Sequence, residues 1–280
     1  MNVFLAHIND IPAGIKKPLS QLDNVYTLSN NNGQCFLTNN ICPHQRSRII
    51  SKEQSEFKCQ YHGWSWNNDG TPKDAGTTSA CNNSKLFLKP VFETNGLLFK
   101  DSIEDTSVFH KINFTKMVKV SERVDRVNAD YKHIIDVFLD VDHVPVLHPG
   151  VYDKIGLAGV PKVEWSYYSW GNIQEVKLQD NTVRAVWIAV YPYTMIEWQP
   201  GALFVTVCRP NGNATDVSII TYQDPDCDPA LQKLNADIFD QAWQQDSHQA
   251  ESIVEYITAG PHIDVSKQHF RNWLANGTNT

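Results

Sequence analysis

Between residues 42 and 62 the chain reads Cys42-Pro43-His44, then fourteen residues, then Cys59-Gln60-Tyr61-His62. Each short segment supplies one thiol and one imidazole in the same order, and each continues into turn-prone residues. Two adjacent loops of that kind can grip one inorganic centre. A [2Fe–2S] cluster with two thiolates on one iron and two imidazoles on the other needs this ligand set. Structural zinc is the competing use of two Cys and two His, but zinc modules group Cys with Cys and His with His. Here each loop carries one of each, so Cys42, His44, Cys59 and His62 are expected to hold the cluster.

Cys42-Pro43-His44 and Cys59-Gln60-Tyr61-His62-Gly63-Trp64, with Trp66 and Gly70 behind them, resemble the Rieske non-haem iron oxygenases. One departure is visible: that family often has Arg-Gly after the first His, and this chain has Gln45-Arg46. The Rieske proteins of respiratory chains are similar in these loops but carry an extra Cys in each, where this chain has Ser47 and Tyr61. They also place a hydroxyl residue where Trp64 stands. Hydrogen bonds to cluster sulfurs raise the potential. The resemblance therefore implies a low-potential cluster that takes electrons from a reductase or ferredoxin and serves O2 chemistry.

At 280 residues the chain has room for one large or two ordinary domains. Its net charge of −7 argues against a nucleic-acid partner, which would need a basic stripe. Cys35, Cys81, Cys208 and Cys227 show no paired spacing, and free thiols suit a reducing compartment. The first residues lack the basic segment and sustained apolar run of a signal peptide, and no apolar run approaches the length of a membrane span. A cytoplasmic protein with no membrane partner is expected.

Residues 1–105 read as short strands punctuated by turns. Val25-Tyr26-Thr27-Leu28 and Cys35-Phe36-Leu37-Thr38 flank Asn30-Asn31-Asn32-Gly33, a hairpin signal. From Ala129 the pattern turns helical, with Tyr131, Ile134, Ile135, Phe138 and Leu139 at three- and four-residue steps and Asn128 or Asp130 as cap. Strand-like segments follow from Val163 to Gln223. Asp228-Pro229 then sets an N-cap and a first-turn proline for a long helix expected to reach about Thr258. The predicted fold is α+β: an all-β domain at 1–105, and at 106–280 an antiparallel sheet with a long, helix-grip-like helix.

His143 and His148, preceded by Asp140, form a second group. In a regular helix the two His would not share a face, so convergence needs a break, and Pro145 supplies a reason. The last long helix carries an apolar stripe of Leu231, Leu234, Ile238, Ala242, Ala250, Ile253, Val254 and Ile257. Asp246 lies on it between Ala242 and Ala250, where a buried carboxylate needs a charged or metal partner. The resemblance implies that His143, His148 and Asp246 bind Fe(II), a two-His-one-carboxylate set with positions open for O2 and substrate. Asp240 is the alternative carboxylate. The resemblance also implies a role for Asp140 in linking the two centres, with His62 of one subunit facing Asp140 and His143 of the next in a homotrimer. Where the family often has Asn three residues before this Asp, the chain has Val137.

For the substrate the residues are less specific. Trp187, Tyr191, Tyr193 and Glu197 would alternate onto one strand face if the strand persisted past Pro192. They are either ordinary core or an aromatic cage for a quaternary ammonium group with Glu197 balancing its charge. The resemblance covers oxygenases of choline-like compounds, O-demethylases and ring-dihydroxylating enzymes, so hydroxylation and oxidative demethylation, by monooxygenase or dioxygenase chemistry, both stay open. The rival is a non-enzymatic electron carrier or ligand-binding protein without the second iron.

Overall fold

The computed structural model describes residues 3–74, 84–107, 109, 112–157, 162–256 and 264–277; Cys81, Ile257 and Thr258 lie outside the described residues. Two compact units emerge, Phe4–Thr115 and Lys116–Thr280, the latter together with Met1–Val3. The first unit runs past residue 105 because the segment after it contributes to its core. Phe109 and Phe114 are fully buried, and His7 Nε2 lies 2.8 Å from the Phe114 carbonyl.

Strands β1 (Phe4–His7), β2 (Lys16–Pro18), β3 (Tyr26–Asn31), β4 (Gln34–Asn39), β5 (Phe57–Lys58), β6 (Ser65–Trp66), β7 (Pro72–Asp74), β8 (Leu88–Pro90), β9 (Phe92–Thr94) and β10 (Leu97–Phe99) make up the first unit. They form three antiparallel sheets, ordered β1-β10-β9, β2-β3-β4-β8 and β5-β6-β7. The β3–β4 hairpin closes through Asn32 and Gly33 at φ of 54° and 95°. A two-residue turn whose twist matches the strands requires positive φ at both positions, which Asn-Gly tolerates. The two Cys/His segments are the loops β4–β5 and β5–β6.

The second unit begins with β11 (Val118–Val127), α1 (Tyr131–Phe138) and the one-turn α2 (Val144–Leu147). Then come β12 (Lys162–Tyr168), β13 (Gly171–Lys177), β14 (Val183–Val190), β15 (Thr194–Gln199), β16 (Ala202–Asn211), β17 (Ala214–Gln223), α3 (Pro229–Ser252) and α4 (Val265–Gly277). The strands make one antiparallel sheet, β11-β17-β16-β15-β14-β13-β12. Helix α3 grips it: Phe239 stacks on Phe204 of β16 at 4.2 Å, and Trp243 Nε1 donates to Asp125 Oδ2 of β11 at 2.9 Å. The architecture is α+β, with a small all-β unit followed by a helix-gripped sheet.

Local chemistry sets the helix ends. Asp130 accepts from the Lys132 amide and Asp228 from the Ala230 amide, each satisfying a donor that the helix leaves open. Pro229 then occupies the first turn, where its missing N–H costs nothing. The long helix stops at Ser252, short of the expected Thr258. Glu251 accepts from the Asn128 amide just where β11 has ended, so no sheet remains beneath a further turn. Ile253 is extended, and Val254, expected on the buried stripe, is fully exposed. No helix among the described residues is long and apolar enough to cross a membrane.

Candidate metal centres and substrate pocket

The two Cys/His loops close with the same backbone pattern. The Arg46 amide donates to the Cys42 carbonyl and the Gly63 amide to the Cys59 carbonyl; in return the Cys42 and Cys59 amides donate to Ser47 and Trp64 carbonyls. The fifth residue of each loop is left-handed, Arg46 at φ 60° and Gly63 at φ 76°. Arg46 thus adopts the conformation that glycine takes in the other loop, and the Gln45-Arg46 departure leaves the paired loop geometry intact. Cys42 and Cys59 point inward and are buried, His44 is half-buried and His62 exposed. The imidazoles of His44 and His62 lie 4.8 Å apart, and His44 stacks on Trp64 at 4.4 Å.

Burial disfavours both thiolates and raises Cys42. At Cys59 the Ser47 hydroxyl, 3.3 Å from Sγ, and the amides of Tyr61 and His62 outweigh burial and lower the pKa. His44 Nδ1 is buried without a protein partner. Two inward sulfurs and an orphaned imidazole nitrogen fit a cluster bound thiolate-side in. Ser47, which stands where the respiratory-chain proteins carry a cysteine, also brings its hydroxyl within hydrogen-bond distance of the Cys59 sulfur, which Trp64 does not.

The second group forms where the helix breaks. Helix α1 ends at Phe138, and the chain restarts as α2 with Pro145 in its first turn. His143 caps α2 at one end and His148 at the other, so one helical turn and its two caps swing both rings to the same side. Their Nε2 atoms lie 3.1 Å apart, and Asp246 Oδ1 from α3 lies 3.3 Å from the first and 2.9 Å from the second. One proton cannot satisfy three acceptor atoms converging on a point, whereas a metal cation can. Burial opposes a charged His148, but Asp246 and Gln245 outweigh it and raise its pKa. Asp246, against the effect of its burial, is held below the usual carboxylate range by the two imidazoles.

Gln245, visible in the sequence only as the neighbour of Asp246, reaches the second imidazole. Its Oε1 lies 2.7 Å from His148 Nδ1, an acceptor that fixes the tautomer with Nε2 free to ligate. Adjacency to Asp246 was the available signal, but adjacent helix residues do not share a face. Asp240, the alternative ligand, is exposed and pairs instead with Arg123 of β11 at 2.8 Å. Asp140 accepts from the backbone amides of Asp142 and His143 through Oδ1 and from Lys267 Nζ through Oδ2. His143 Nδ1 is buried and without a protein partner.

A small pocket opens beside this group, lined by both Asp246 and Glu197. Its aromatic walls are Phe138, Tyr152, Phe204, Phe239 and Trp243. Glu197 on β15 is the cross-strand neighbour of Trp187 on β14 and Phe204 on β16, and Gln199 donates to its Oε1 at 2.5 Å. Burial pushes the Glu197 carboxyl up to about 7, and the nearby Asp246 charge adds to the shift. Tyr152, buried between the two carboxylates, is raised well above the ordinary phenol value, first by burial and then by their charges.

Of the four expected substrate residues, only Glu197 lines this pocket. The strand ends at Val190, and the alternation stops with it because residues 191–193 form the turn into β15. Tyr191 is buried against Phe270 and Trp273 of α4, with its hydroxyl 2.7 Å from Asn172 Nδ2. Tyr193 packs edge-on against Tyr131. Trp187 is buried behind Tyr152 at 6.1 Å.

Residues 1–89 match the family model described as the Rieske [2Fe-2S] domain. Putrescine 2-hydroxylase of Bordetella bronchiseptica is 20% identical over 310 residues, covering 92% of this chain and 71% of that protein. The carnitine monooxygenase oxygenase subunit of Acinetobacter baumannii is 24% identical over 199 residues, 60% of this chain and 53% of that one. The quaternary ammonium Rieske monooxygenase CntA in complex with L-carnitine superposes with a TM-score of 0.75 at 16% identity, covering 99% of this chain and 88% of that one. The first third of the chain is a Rieske [2Fe-2S] domain, and over most of its length the chain is similar to Rieske oxygenases. The matched domain is of the [2Fe–2S] type, and the proteins that the whole chain resembles are oxidoreductases.

Proposed function

We propose that this chain is a Rieske oxygenase that holds its cluster on Cys42, His44, Cys59 and His62 and its Fe(II) on His143, His148 and Asp246. The observation that carries the second assignment is the convergence of two imidazoles and one carboxylate from two helices on a single point. When bound, the cluster and the iron supply electron delivery and O2 activation. Gln245 orients His148, and the capped break around α2 orients both rings. Asp140, held by Lys267 and by the His143 amide, is the proposed link toward the cluster of a neighbouring subunit in a homotrimer. Free buried thiols at Cys35 and Cys208 support a cytoplasmic setting.

The substrate is a small organic molecule, of the quaternary ammonium or methoxy-aromatic class, seated in the pocket beside Asp246. One O2, two electrons and two protons convert a substrate C–H to C–OH and release water. Where that carbon is an N- or O-methyl, the hydroxylated product collapses to formaldehyde and the demethylated compound. Apolar walls keep bulk water from the reacting carbon.

Iron and acid-labile sulfide per chain, measured after anaerobic Fe(II) loading and removal of loosely held metal, test the assignment. Three irons to two sulfides are expected. Two to two would leave an electron carrier without the mononuclear site.

A further inference from the structure

The pocket holds an imbalance of charge. Among its lining residues the only charged side chains are the carboxylates Asp246 and Glu197; no Lys, Arg or His lines it. Glu197 is 7% exposed, and among the described residues no basic side chain forms an ion pair with it. The donors that face it, the Gln199 amide and the Trp187 indole, are both neutral. A carboxylate buried among aromatic rings without a counter-charge is costly, and a bound cation is the occupant that removes the cost. The rings present negative faces that attract the same charge.

We propose that Glu197 is the counter-charge for a cationic nitrogen, and that the pocket takes small monocationic amines or ammonium compounds bearing no carboxylate of their own. This rests on the Fe(II) assignment only for where the reacting carbon lies, and it narrows the substrate class of that same pocket. With Asp246 committed to the iron site, a zwitterion would bury its anion beside Glu197 with no basic residue in the lining to receive it. A neutral methoxy-aromatic would fill the apolar walls and leave Glu197 unpaired. Thr206 is the remaining polar group on the wall and can meet a hydroxyl on the substrate.

The test is anaerobic calorimetric titration of unreduced holoprotein with three probes of similar shape. They are choline, its uncharged tert-butyl counterpart 3,3-dimethylbutanol, and the zwitterion glycine betaine. Choline is expected to bind about tenfold or more tightly than either of the others. Glu197→Gln should erase that preference, with its affinity for the uncharged probe and its iron content retained. Equal affinities in the parent protein, a preference that survives Glu197→Gln, betaine binding as well as choline, or no binding of any probe would each overturn the proposal. The titration is repeated on protein stripped of the third iron. Failure to load that iron sinks the metal assignment, while the cation preference is judged on its own result.

Discussion

Lys267 Nζ lies 2.6 Å from Asp140 Oδ2, joining α4 to the residue that opens the His143–His148 segment across 127 positions of sequence. One helical turn on, Arg271 pairs with Asp136, which lies one turn before Asp140. Two bases four residues apart meet two acids four residues apart, and the Ser266 hydroxyl donates to the Leu139 carbonyl between them. Helix α4 thereby clamps the break from which the His143–His148 segment departs. Lys267→Met should leave both metals in place and cost about 1 kcal/mol of stability, since the pair is only partly buried. It should also slow product formation from a pre-reduced cluster about tenfold, with Lys267→Arg restoring most of the rate. Single-turnover product yield against time decides it, and a rate unchanged in Lys267→Met would remove Lys267 from the path.

Substituting His143 by Ala takes away one of the three proposed iron ligands. Iron should fall from three to two per chain, the visible spectrum of the cluster should persist, and substrate-coupled O2 uptake should vanish. Uptake at the parent rate would end the mononuclear-iron assignment.

Gln245→Leu removes the acceptor of His148 Nδ1 while keeping the size of the side chain. Losing such an orienting partner typically costs about 10–100-fold in metal affinity. An Fe(II) titration measures this directly, and unchanged affinity would show that His148 is oriented by packing alone.

Glu197 gives the protein a pH dependence of definite sign. Its folded-state pKa of about 7 stands above the ordinary 4.5, so the folded form holds a proton that the unfolded form has lost. Stability from this group is therefore full below about pH 4.5 and is lost as pH rises through about 7, by about 3 kcal/mol at most. The groups around it are Gln199, Trp187, Tyr152, His148 and Asp246. The melting temperature should fall between pH 5 and pH 8 more steeply in the parent than in Glu197→Gln; parallel curves would refute the shifted carboxyl.

At the cluster, Ser47→Ala deletes the hydroxyl next to Cys59 Sγ. The reduction potential should drop by on the order of tens of millivolts, the worth of one hydrogen bond to a charged sulfur in a one-electron couple. Protein-film voltammetry reads it, and an unshifted potential would mean that Ser47 donates elsewhere once the cluster is bound.

What the sequence by itself determined is what lies close along the chain. Two Cys/His pairs define their loops locally, Asn32-Gly33 defines a turn, and Asp228-Pro229 starts a helix, because each needs only neighbouring backbone and side-chain chemistry. Asp246 could be singled out because a carboxylate on an apolar stripe violates the 3.6-residue period. The tertiary structure decided everything that depends on which elements meet. Asp240 is drawn off to Arg123 of β11, and Gln245 reaches His148 only because α3 lies against the broken helix. Tyr191 and Tyr193 leave the pocket because the strand turns at Pro192, a place the alternation itself could not mark. Phe138, Phe204, Phe239 and Trp243, from four separate positions on α1, β16 and α3, close around Glu197. Periodicity shows that such residues are buried, but the partner of a buried face is chosen by packing between elements distant in sequence.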